Sequence, residues 1–78
     1  MAKFVTNSTS DKAVCKANVI ALTIDYDPEV TGDNPSPAAY NLRTHFNITG
    51  GSPLIFETET TLQAIQSRAA TVLAALEL

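Results

Sequence analysis

The 78-residue sequence predicts a small α+β domain: an antiparallel β-meander of three to four strands with one C-terminal α-helix packed across it. Three observations predict this class. Residues 38–48 alternate between large and polar side chains at period two. Residues 14–26 are rich in β-branched and aliphatic side chains. Residues 58–78 place apolar side chains at helical spacing.

Residues 1–12 form an N-terminal arm. Phe4 and Val5 stand alone in a polar stretch, with a short strand expected over 3–6. The following Asn7-Ser8-Thr9-Ser10-Asp11 run has turn chemistry, because short polar side chains bond to nearby backbone. Residues 14–26 then read as one long strand. Ile20, Leu22, Ile24 and Tyr26 share one face, and Cys15, Ala17, Val19, Ala21 and Thr23 share the other. The larger set is expected to face the core. Residues 27–37 hold three prolines and a glycine, which points to a long irregular loop.

In residues 38–48, Tyr40, Leu42, Thr44, Phe46 and Ile48 share the inner side of a half-buried strand. Asn41, Arg43, His45 and Asn47 take the wet side. Gly50-Gly51-Ser52-Pro53 makes a reversal into a short strand at 53–57. The helix is expected over 59–77. Thr60 and Gln63 form a capping box, with Glu57 and Glu59 near the positive end of the dipole. Leu62, Ile65, Ala69, Val72, Leu73 and Leu76 form its apolar stripe. Residues 1–78 are thus one domain: the arm at 1–12, then meander and helix at 13–78.

A chain this short buries only roughly 60–65% of the surface its unfolded form exposes. Small domains offset that with disulfides, a metal or a partner chain. One cysteine, Cys15, and one histidine, His45, give neither an internal disulfide nor a Cys/His metal cage. Protein partners, a homo-oligomer or a larger assembly, are what is left. Charged residues are 17% of the chain, below the usual quarter, and a surface poor in charge resists association weakly.

The net charge of −3, with Lys3, Lys12, Lys16, Arg43 and Arg68 dispersed, argues against nucleic acid and against an anionic membrane surface. No apolar leader follows Lys3, so synthesis in the cytoplasm is expected.

Catalytic residues, cofactors, metals and a small-molecule substrate are not expected. His45 lacks a marked nucleophile. Cys15 has only Lys16 to acidify it and reads as a packing residue. Gly50-Gly51 lacks the lysine and following helix of a phosphate loop. Asp25, Asp27, Glu29 and Asp33 form an acidic strand end and loop. Oxygen-rich loops bind calcium, but Pro28 interrupts this one and the calcium-loop pattern is missing; a solvated acidic loop is the simpler reading.

The candidate partner-binding residues are Lys3, Phe4 and Val5 of the arm, the row Asn41, Arg43, His45 and Asn47, and the carboxylates Asp25, Asp27, Glu29 and Asp33. The reading that follows is a non-enzymatic structural or assembly protein acting by surface burial, in its most concrete form a small minor structural or decoration protein of a virus particle. The alternative is a small inhibitor or regulator that caps a macromolecular enzyme through its acidic loop.

Overall fold

The computed structural model describes residues 3–49 and 51–77. Residues 1 and 2 of the arm, Gly50 of the expected reversal and Leu78 lie outside that set. The architecture is a small α+β fold with two antiparallel sheets and a C-terminal helix across the larger one. The elements run β1 (Phe4–Thr6), β2 (Ala13–Cys15), β3 (Val19–Asp27), β4 (Ala39–Phe46), β5 (Leu54–Glu59) and α1 (Leu62–Leu76).

The expected strand at 14–26 is two strands. A 3-10 turn at Lys16–Asn18 breaks it. β2 pairs back onto β1, with Val5 opposite Val14, and makes a separate two-stranded sheet. β3 begins a three-stranded sheet in the order β3-β4-β5. The break changes which side chains go inward. Val14 and Val19 both enter the core, although they sit on opposite faces of any unbroken strand.

Two bulges shape the larger sheet. In β3, Val19 lies opposite Phe46 and Ala21 opposite His45, which leaves Ile20 as an extra residue. In β5, Glu57 lies opposite Leu42 and Ile55 opposite Arg43, so Phe56 is extra. Phe56 turns into the core beside Leu42 and Ile65, and all three are almost fully buried.

The 27–37 segment also departs from expectation. Val30 and Ser36 exchange two backbone hydrogen bonds of 2.9 Å, so the hairpin continues past its prolines as an isolated bridge. Gly32, at φ +118°, takes the left-handed backbone the tip needs. Tyr26 and Tyr40 face each other at the base of this hairpin with ring centroids 4.8 Å apart.

The helix starts later than expected. Thr61, not Thr60, is the cap: its hydroxyl accepts the backbone N–H of Ala64 at 3.1 Å. At the other end Glu77 adopts a left-handed conformation (φ 61°) and its N–H returns to Leu73 and Ala74. The residues that seal the core from α1 are Ile65, Val72 and Leu76. They meet Val5, Val14, Val19, Leu42 and Phe56, with Leu22, Tyr40, Phe46, Leu54 and Ala69 packed around them.

Candidate functional site

The three-stranded sheet has two unlike faces, and its two edges are unlike as well. On the face away from α1, side chains from β3, β4 and β5 form a polar ladder. Arg43 Nε donates to Asp25 Oδ2 in an ion pair. Asn41 Nδ2 donates to Asp27 Oδ2 at 2.6 Å, and Asn41 Oδ1 accepts from Thr58 Oγ1 at 2.8 Å. Thr23 Oγ1 and His45 Nε2 lie 2.7 Å apart. Cross-strand geometry explains the ladder: outward residues on neighbouring antiparallel strands stand close enough for polar tips to meet.

This arrangement corrects the expected site at Asn41 and at Asp27. Asn41 is buried rather than wet, because β4 is the central strand and its amide is held from both sides. Asp25 is in a strand, as expected, but Asp27 joins it in β3 rather than opening the loop; Asp25 is paired with Arg43 and Asp27 is hydrogen-bonded by Asn41. Only Glu29 and Asp33 remain as exposed loop carboxylates, which is all the acidic-loop alternative retains. Among the described residues no three of His, Cys, Asp and Glu converge as a metal would require. Arg43 and His45 are half-buried in the ladder, and Asn47 lies just beyond β4, exposed, with its N–H donating to the Asn18 carbonyl.

The Thr23–His45 pair is the nearest approach to a nucleophile and base. It lies on an open sheet face, and among the described residues no carboxylate bonds to the second ring nitrogen. Cys15 is half-buried and free.

The N-terminal residues also divide. Lys3 and Phe4 are exposed, Phe4 at 60%. Val5 is not available to a neighbour. Alternation within β1 turns it inward, and at 8% exposure it is part of the chain's own core. The arm is therefore one strand of a docked hairpin.

The loop after β1 performs a task that the sequence reading missed. Asn7 Nδ2 donates to the Phe56 carbonyl at 2.9 Å, and Lys12 Nζ donates to the Ile55 carbonyl at 2.6 Å. Ser8 donates its N–H and its hydroxyl to the Glu57 carboxylate at 3.0 and 2.6 Å. The edge of β5 is thus covered by residues 7–12. The Asn-Ser-Thr-Ser-Asp composition signalled a turn, but not the strand it covers. A polar pocket of about 460 Å³ lies between this loop, Glu59 and Arg68.

The opposite edge is different. β3 has no strand on its outer side; at its start the Val19 N–H donates to the Lys16 carbonyl, and beyond Val19, among the described residues, no side chain or backbone group bonds to its outward amides and carbonyls. Its inner face is also open. Ile20, Leu22 and Ile24 line an apolar groove of about 390 Å³ with Ala69, Ala70 and Leu73 of α1. Ile20 was expected in the core and is 60% exposed; Ile24 and Tyr26 from the same set are 38% and 54% exposed. The bulge displaces Ile20, and α1 lies mainly over β4 and β5, touching β3 but leaving Ile20 and Ile24 uncovered. Leu73 of the expected helix stripe borders the same groove, and Leu62 is exposed at the first helical position.

Among the described residues no helix is long and apolar enough to cross a membrane. Compared with protein-family models, curated sequences and solved structures, the chain matches none.

Proposed function

We propose that the chain is a non-enzymatic assembly protein that acts by covering surface between protein subunits. The observation that carries this reading is the distribution of apolar side chains. Among the described residues, as many large apolar side chains lie on the surface as lie in the core: Phe4, Ile20, Ile24, Tyr26, Val30, Ile48, Leu62 and Leu73 against the eight core residues. Scattered exposed apolar residues are ordinary, but a contiguous cluster such as Ile20, Ile24 and Leu73 marks an interaction surface. Few charges guard it, since charged residues are 17% of the chain.

The reactive groups support the same reading. In the ladder Asp25 pairs with Arg43, Asp27 with Asn41 and His45 with Thr23, and these bonds hold the sheet's outer face together. The virus-particle setting within this proposal is supported by composition alone. Partners are protein surfaces, with a second copy of the chain as the simplest.

Size-exclusion chromatography with light scattering on the purified chain across the micromolar range tests the proposal. The expected result is a species heavier than one chain that grows with concentration. A single-chain mass at every concentration overturns it.

A further inference from the structure

We infer that two copies of the chain pair through the free edges of β3, antiparallel about a two-fold axis, into one continuous six-stranded sheet with both helices on the same face. This rests on the assembly reading above and names its partner and its contact.

The two sheet edges carry the argument. β5 is covered by its own chain, through Asn7, Lys12 and Ser8. β3 is not, although it is the longest strand, at nine residues, and presents about 30 Å of edge. An uncovered edge is a template for another strand, and proteins that remain single blunt it with charged side chains (lysine above all), proline, a bulge or an inward charge. Between Val19 and Asp27 there is no lysine, proline or glycine. The bulge at Ile20 sits at the strand's beginning and the carboxylates of Asp25 and Asp27 at its end, with Asp25 paired to Arg43; Ala21–Asp27 stays in regular register with β4. The occupant this edge asks for is an extended backbone with apolar side chains on one face, and β3 itself has that pattern.

Charge selects the direction. Asp25, paired with Arg43, and Asp27, whose only partner among the described residues is the neutral amide of Asn41, lie together at the C-terminal end of β3. Parallel pairing sets the acidic ends of both copies side by side. Antiparallel pairing separates them.

A two-fold axis perpendicular to the sheet preserves its faces. The polar ladder of one copy then continues into that of the other, near Thr23. On the helix side the two apolar grooves meet across the seam, so Ile20, Ile24 and Leu73 of each copy lose their exposure together. One contact thereby covers both the unpaired edge and the groove.

The test is a substitution series read by light scattering and by hydrogen exchange of the intact chain. Ile24→Lys places a charge at the seam and is expected to lower the associated mass to that of one chain. Ile20→Lys, at a more exposed site, is expected to weaken association with the fold preserved by circular dichroism. Leu62→Lys, exposed at the other end of α1, is expected to leave association unchanged. In the unsubstituted chain, amides of residues 19–27 are expected to exchange more slowly as concentration rises. If the chain associates but Ile20→Lys does not weaken it and β3 exchange stays constant, this contact is wrong and the assembly reading survives. If the unsubstituted chain has the mass of one chain at every concentration, both fall.

Discussion

Asn7 uses its whole side chain. Its Oδ1 accepts the N–H groups of Asp11 and Lys12, both at 3.1 Å, while its Nδ2 donates to Asp11 Oδ1 and to the Phe56 carbonyl. An amide has two donors and two acceptor sites, so every one is used in a buried position. Asn7→Ala leaves the Phe56 carbonyl and two loop amides without partners, and is expected to cost about 1–3 kcal/mol in urea unfolding. Asn7→Asp keeps the acceptors but loses both donors beside the Asp11 carboxylate. It is expected to destabilise the chain as well, where a purely steric role predicts no loss.

Asp11 adds a pH dependence at the same loop. Hydrogen bonds from Thr9, then Asn7, hold its carboxyl below the ordinary aspartate value. The folded value is thus lower than the unfolded one. The ionised group therefore contributes stability above the unfolded value, and that contribution is lost as pH falls through the folded one. Asp11→Asn is expected to flatten this part of the acid limb, read as urea midpoints against pH.

At the scale of elements, α1 is held by its cap and by one stripe. Thr61→Ala removes the hydroxyl that accepts the Ala64 N–H and is expected to cost about 1 kcal/mol. Thr60→Ala, one residue earlier, is expected to stay within about 0.5 kcal/mol, because Thr60 is exposed and caps nothing. Ile65→Ala opens a cavity against Leu42 and Phe56 and is expected to cost about 2–5 kcal/mol. The contrast between the two threonines, measured by thermal unfolding, checks where the helix begins. The sequence pattern favoured Thr60 because Gln63 completes a capping box with it. The backbone instead turns at Thr61, which is extended at φ −126°, ψ 152°.

For the whole molecule, the β1–β2 hairpin and the larger sheet share one core, since Val5 and Val14 belong to the same cluster as Ile65 and Leu76. Deleting residues 1–10 therefore removes more than a docking arm. It takes away Val5, the pairing partner of β2 and the cover over the β5 edge. Burial of a valine alone contributes about 1.5–3 kcal/mol. For a chain of this size that corresponds to a fall in Tm on the order of 10 °C. Calorimetry on the truncated chain checks this; an unchanged Tm would mean that the hairpin is merely laid on the surface.

Most element types were legible because they depend on local terms. The alternation of β4, the helical spacing and alanine content of α1, and the turn chemistry of 7–11 each act over a few residues, and each element formed near its expected place. The tertiary structure alone decided how wide the covered surface is. A helix is about 10–12 Å across, while strands lie about 4.8 Å apart, so one helix covers roughly two of three strands. Periodicity reveals which side chains of β3 share a face, but it carries no information on whether the helix reaches them. Ile20 and Ile24 consequently have a core pattern and a surface position. The polar groups followed the same logic: the acidic residues and the Asn41 row read as separate surfaces along the chain, and only pairing of β3 with β4 made them one another's partners.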